Sequence, residues 1–301
     1  METIEQIHHI SAITGDPQET LDFYQQVLKL RLVKQTVNFD DPTTYHLYFA
    51  NQKVEEGSLM TFFPWGNVSE GVKGSGQVGR IAFRVPKQRL DFWKQQLQDH
   101  NVPFEETQWF DAPALFFQDK HKLDLALVEG TDEKETPAIL GFHGVVLLSS
   151  DDQASREFLT TLMGLKEIDQ TTSYRRFKTQ GSLAHEILIP KQASPRGSWG
   201  PGTGHHIAWK VTDKDSLIAY QTELSQQGFH TTVIRDRKYF QSIYLRENGK
   251  VIFEFATQGP GMTVDETMDQ LGHTLQLPKR YETRRQEIMD NLPPLSGTYP
   301  L

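Results

Sequence analysis

Two histidine pairs, His8-His9 and His205-His206, open strand-like segments almost a whole chain apart, and a carboxylate, Glu254, stands inside the apolar run Val251–Ala256. Two imidazoles and one carboxylate on converging strands form the open-sided set of ligands that suits Fe(II), with about three positions left for reactants. Glu254, among Ile252, Phe253 and Phe255, must be paired, bound to a metal, or raised in pKa. An arginine such as Arg246 or Arg237 could satisfy it, and a single strand histidine is more often a bonded core residue than a ligand. Three such groups in similarly placed strands tip the balance towards a metal.

Strands must position these groups, and strand side chains alternate between two faces. In the first strand His9, Ser11 and Ile13 share a face against His8, Ile10 and Ala12. Near the second pair His206, Ala208 and Lys210 oppose His205, Ile207, Trp209 and Val211. In the last run Ile252, Glu254 and Ala256 oppose Val251, Phe253 and Phe255. The greasier face packs on a helix, which leaves His9, His206 and Glu254 on the other, cup-lining face. Ser242, Tyr244 and Arg246 fall on that face of their strand, as do His46 and Tyr48 of theirs.

The chain reads as one unit written four times: a strand, an amphipathic helix, then about three strands. The units begin near Ile7, Gly79, Gly141 and His205, and Asp16 with Pro17 opens the first helix. The fourth unit is expected to carry strands at Thr232–Arg235, Gln241–Arg246 and Lys250–Ala256. The charged segment Thr131–Pro137 is an expected linker between residues 5–131 and 138–258, and a polar tail, 259–301, follows. The class is α+β, and each module needs another to complete a cup. Aligning Asp119–Lys122 with Glu247–Lys250 puts Ala126 where Glu254 stands, and the second unit has no histidine at its strand start. Only one complete triad can therefore be assembled. His143, nearly in the slot of His9, is the main rival ligand, and Glu186 is the weaker rival carboxylate.

Net charge is −8 with no basic block, which argues against nucleic acid or an anionic membrane as the partner. Cysteine is absent, so thiolate chemistry and disulfides are excluded. No apolar stretch is long enough to span a bilayer, and a cytoplasmic location is expected. Gly74–Gly79 matches a dinucleotide-binding glycine pattern, but a strand rather than a helix follows it, so a flexible loop is the better reading. Trp199, in the glycine-rich loop before His205, is a lid aromatic or a packing anchor.

The stretches His8–Ser11, Tyr45–Ala50, Gly204–Ala208, Asp236-Arg237 with Tyr239-Phe240, Ser242 and Tyr244, and Phe253-Glu254 with Ala256-Thr257 resemble the vicinal oxygen chelate superfamily, the glyoxalase/bleomycin-resistance/extradiol-dioxygenase group. Within it the chain is similar to ring-cleaving dioxygenases of the hydroquinone type over about residues 5 to 260. The resemblance implies four βαβββ modules forming two paired glyoxalase-like domains. It implies Fe(II) held by His9, His206 and Glu254, with His8, His205, Arg237 and Tyr244 around the metal. The stretch from Asp236 to Phe240 is shorter here than in the chlorohydroquinone enzymes.

The implied reaction opens a hydroquinone- or catechol-like ring with O2, for aromatic degradation or quinone detoxification. His205 or His8 would serve as the base, Tyr244 as a hydrogen-bond partner of substrate oxygen, and Tyr48 as a stacking wall. One rival is a glyoxalase I-like isomerase, which usually pairs two glutamates at its metal. The other is a protein that sequesters a planar quinone or antibiotic without turnover. Ring substituents and oligomeric state stay open, and Zn(II), Ni(II) or Mn(II) can occupy such ligands in place of Fe(II).

Overall fold

The computed structural model describes residues 1–66 and 68–297, so residues 298–301 of the expected tail lie outside the described residues. The first module comprises β1 (Ile7–Thr14), α1 (Pro17–Asp22), β2 (Arg31–Asn38), β3 (Asp41–Ala50) and β4 (Leu59–Pro64). The second comprises β5 (Gln77–Val85), α2 (Leu90–Asp99), β6 (Phe104–Trp109), β7 (Ala112–Gln118) and β8 (Asp124–Glu129). The third comprises β9 (Gly141–Leu148), α3 (Asp152–Glu157), β10 (Lys166–Gln170), β11 (Tyr174–Lys178) and β12 (Glu186–Pro190). The fourth comprises β13 (Thr203–Val211), α4 (Lys214–Gln226), β14 (Arg235–Asp236), β15 (Gln241–Arg246) and β16 (Ile252–Thr257).

Local chemistry sets the helix starts. Asp16, Asp151 and Asp213 each accept a hydrogen bond from the backbone N–H three residues on, at 2.9, 3.0 and 2.9 Å. Each carboxylate satisfies an amide that the first helical turn leaves unpaired. Helix α2 buries Leu90, Trp93 and Leu97, and α4 buries Leu217, Tyr220 and Leu224, which is the spacing of one helix face. The expected strand Thr232–Arg235 shrinks to Arg235–Asp236 in register with β15, although the Thr232 N–H still donates to the Tyr244 carbonyl at 2.9 Å. At Thr232 the side-chain hydroxyl accepts from the Tyr244 N–H at 3.1 Å, in place of a backbone carbonyl.

Pairing across the sequence makes the cups. β1 runs antiparallel to β13, and β5 antiparallel to β9. One cup thus joins the first and fourth modules, and the other joins the second and third. Each cup takes one module from residues 5–131 and one from 138–258. The main core lies between the sheet and the helices and includes Ile10, Ile207, Trp209, Phe253 and Phe255. Two smaller apolar clusters line the cups: Tyr48, Leu59, Ala208, Tyr239, Phe240 and Ala256 in the first, and Ala82, Trp109, Ala126, Val146 and Leu188 in the second.

The tail packs on its own chain. β17 (Leu275–Gln276) adds to β2 in parallel, and α5 (Arg285–Asn291) follows a 3-10 stretch, Lys279–Arg284. Buried Lys34 pairs with Asp265 at 2.6 Å and also with Glu266, and Lys238 reaches Asp265 at 2.6 Å. These pairs pin the tail beside the rim of the first cup. Among the described residues no helix is long and apolar enough to cross a membrane.

Candidate metal centre

Each histidine pair sits at a β-bulge. Ile7 faces Trp209 and His9 faces Ala208, so His8 is the extra residue. On the partner strand Ser11 faces His206 and Ala12 faces Gly204, so His205 is extra. A bulge swings consecutive side chains towards one side. This corrects the strict alternation expected for His8 and His205, because both first histidines meet their neighbours edge to edge. Nδ1 of His8 lies 2.8 Å from Nδ1 of His9, and Nδ1 of His205 lies 2.7 Å from Nδ1 of His206.

The opposite ring edges converge. Nε2 of His9 is 3.1 Å from a Glu254 carboxylate oxygen, Nε2 of His206 is 3.0 Å from the same oxygen, and the two Nε2 atoms are 3.3 Å apart. Ligands at about 2.1 Å on three adjacent corners of an octahedron would be about 3.0 Å from one another. The donor set therefore fits a divalent cation. All three residues are buried, and neither Glu254 oxygen accepts a hydrogen bond from the described residues despite that proximity. Burial alone would raise the Glu254 carboxyl, but His9 and His206 outweigh it and hold it well below the usual carboxylate range. Burial pushes His206 down against the opposing pull of Glu254. The arginines that could have paired with Glu254 are engaged elsewhere. Arg246 donates to the Lys250 carbonyl at 3.0 Å, and Arg237 reaches Asp40 at 3.1 Å and Tyr244 Oη at 3.2 Å.

A chamber of about 230 Å³ opens on the triad, with His205, Arg237, Tyr244, His46 and Tyr48 on its walls. His8 instead borders a neighbouring hollow of about 360 Å³. Burial, then the adjacent His9, drives His8 down to about 3, and burial, then His206, drives His205 to about 3. Both rings are therefore neutral near pH 7, and each can accept the Nδ1–H of its neighbour. Burial, reinforced by Glu254, raises Tyr244, which keeps its phenol protonated. His46, also pushed well down by burial, contacts the Thr61 hydroxyl at 2.9 Å and the Tyr48 hydroxyl at 3.1 Å. Trp199 packs on His205 with ring centroids 5.1 Å apart.

Sequence reasoning gave no role to Asn38, Phe39, Asp40, Phe63, Trp65 or Phe240, which complete the walls. Phe63 and Trp65 share the alternation of Thr61, so the face rule could have found them. Asp40 lies in a turn, and nothing local marks it as the partner of Arg237.

The expected rivals lie in the other cup. Phe142 faces Phe83 and Gly144 faces Ala82, so His143 is a bulge residue in the slot of His8, not of His9. Gly144 holds the His9 position. Glu186 receives Arg176 at 2.7 Å and the Trp109 indole at 3.1 Å, and His143 stays 3.8 Å away. The Gly74–Gly79 pattern is a loop running into β5, as its context implied. A side chain at Gly74 would strike the Pro195 carbonyl at 2.2 Å, so glycine there permits two loops to touch.

Residues 6–121 and 141–255 match the Glyoxalase/Bleomycin resistance protein/Dioxygenase superfamily. The chain is 42% identical over 298 residues to "Putative ring-cleaving dioxygenase MhqO" of Bacillus subtilis, covering 96% of each chain. It is 30% identical over 311 residues to the chlorohydroquinone/hydroquinone 1,2-dioxygenase of Sphingobium indicum, again covering 96% of each. Its fold superposes with a TM-score of 0.94 on the crystal structure of a "putative dioxygenase" from Bacillus subtilis, at 41% identity and covering 98% and 99% of the two chains.

Proposed function

The chain belongs to the glyoxalase/bleomycin resistance protein/dioxygenase superfamily, and from that premise we propose that it is an Fe(II)-dependent dioxygenase that opens the ring of a hydroquinone- or catechol-like diol. The observation that carries this reading is the meeting of His9, His206 and Glu254, with the two histidines lining a chamber of about 230 Å³. An apolar cavity of about 150 Å³ holds benzene, so this one suits a single substituted ring. Drug-sized ligands take about 300–1,000 Å³, which counts against the bulky hemithioacetal substrate of a glyoxalase I-like isomerase, as does a donor cluster with one carboxylate.

When bound, the iron supplies adjacent positions for a substrate oxygen and O2 and a route for electrons from ring to O2. His8 and His205 act on the ligands. Each accepts the Nδ1–H of the next histidine and so aims that histidine's Nε2 at the metal position. With Nδ1 accepting from His206, neutral His205 carries its proton on Nε2, and that N–H, on the chamber wall, can donate a hydrogen bond to a diol oxygen. Asp40 holds Arg237, which donates to Tyr244 Oη and leaves the phenol proton free to bond a substrate oxygen. With a divalent cation, the charges of Glu254, Asp40 and Arg237 sum to one net positive charge, which favours a singly deprotonated diol. The ring carbon–carbon bond breaks next to a hydroxylated carbon, and both atoms of O2 enter the open-chain product, so no further reductant is needed. Consuming a hydroquinone also removes the quinone with which it exchanges.

Anaerobic loading with Fe(II), followed by O2 uptake against hydroquinones and catechols, tests the proposal. Uptake with at least one diol, matched by ring-opened product, is expected. No uptake with any of them would end it.

A further inference from the structure

The second cup has the strand frame of the first but not its ligands. Gly144 faces Ala82 as His9 faces Ala208, and Ala82 faces Ala126 as Ala208 faces Glu254. Arg80, two residues before Ala82, stands where His206 stands two residues before Ala208. No metal can be held by glycine, arginine and alanine. Yet the cup is not filled with side chains. It opens on a hollow of about 710 Å³, three times the volume of the metal chamber.

Its lining is aromatic and carries an arginine with one unpaired donor nitrogen. Trp109, Phe116 and Tyr174 form flat walls with Leu188 beside them. The Arg80 guanidinium carbon lies 3.8 Å from the Phe116 ring centroid. Its Nη1 is buried and makes no hydrogen bond among the described residues. The nearest carboxylate, Asp124, is 4.0 Å away and already bound to Lys73 at 2.7 Å and Gln118 at 2.8 Å. Glu186 is neutralised by Arg176. Asp111, 3.9 Å from Arg176, lies at the exposed rim, and among the described residues no carboxylate approaches Arg80 closer than Asp124. A buried guanidinium donor with no partner is costly unless a ligand satisfies it.

We propose that the second cup is a metal-free binding site for a planar aromatic monoanion, with its carboxylate on Arg80 and its rings against Phe116 and Trp109. A guanidinium offers a carboxylate two parallel hydrogen bonds, and aromatic walls stack a flat ring. Burial lowers the Arg80 pKa, as it does for a cation lacking full compensation. The site is independent of the metal centre and of the reaction assigned to it.

The test uses the metal-loaded full chain and 2-naphthoate as probe, followed by calorimetry. One probe per chain should bind. Arg80→Gln should weaken it by about tenfold or more, as should replacing the probe by 2-naphthamide, which keeps the ring and loses the charge. Leu188→Trp, which narrows the cavity without touching the arginine, should also weaken binding, so the result does not depend on one variant folding well. His206→Ala should leave binding unchanged. Binding that is lost in His206→Ala but kept in Arg80→Gln and Leu188→Trp would place the probe in the metal chamber and overturn the proposal. Equal affinity for naphthoate and naphthamide, or no binding up to the millimolar range, would do the same.

Discussion

The two cups share a frame and part at three side chains. In one, strand register brings His9, His206 and Glu254 within 3.3 Å of one another. In the other, the matching positions carry Gly144, Arg80 and Ala126. Both cups place a histidine at a bulge, since His8 and His143 occupy the same slot. The first histidine alone therefore does not make a metal site. The frame supplies directions, and the residues at the three converging positions decide whether those directions meet on a cation or on an organic ligand.

The largest contrast is expected in metal content. Replacing His9, His206 or Glu254 by Ala should remove the bound metal, measured by elemental analysis at one ion per wild-type chain. Arg80→Ala should leave that ion in place. Full metal content in all three first-cup variants would erase the distinction between the cups. A smaller effect belongs to the bulge histidines. His8→Ala and His205→Ala should each weaken metal binding about 10–100-fold, measured by competition with a chelator, whereas His143→Ala should not change it.

A third difference concerns room. A β-carbon at Gly144 would lie 2.3 Å from the Glu186 carbonyl oxygen, so the second cup has no space for a histidine at the His9 position. Gly144→Ala should cost about 1–3 kcal/mol, read as a lower urea midpoint. Unchanged stability would mean that β12 can move aside and that the second cup could be converted to the first. The smallest effect is in acid. Burial raises the Glu186 carboxyl, but His143 and Arg176 outweigh it and bring it to about 2 in the folded chain. Its stabilising contribution is therefore complete above the ordinary carboxylate range and is lost as pH falls towards 2. Glu186→Gln should flatten the stability profile between about pH 4.5 and 2 by on the order of 1–3 kcal/mol. A profile parallel to wild type would remove the ion pair from the account of the second cup.

Much of the first cup was legible because alternation is local. Phe253 and Phe255 take the helix side, so Glu254 must take the other, and this needs no knowledge of the neighbouring strand. The position of His143 was not legible. A bulge is defined by the partner strand, and one extra residue shifts every later slot, so counting from the start of β9 assigned His143 to the wrong one. The same cause hid the contact between the rings of each histidine pair. Asp40 and its grip on Arg237 were invisible for a different reason: the two residues are 197 positions apart and meet only where a turn of the first module touches the fourth.

By itself the sequence determined the repeated module, the helix start at Asp16, and the faces on which His9, His206 and Glu254 lie, because capping and strand alternation act over a few residues. Only the tertiary structure decided that the first module pairs with the fourth and the second with the third, that bulges turn both histidine pairs inward, and that one cup closes on a small chamber while the other stays wide. Those outcomes depend on register between strands far apart in the chain, where burial of the shared core, not any local preference, selects the partner.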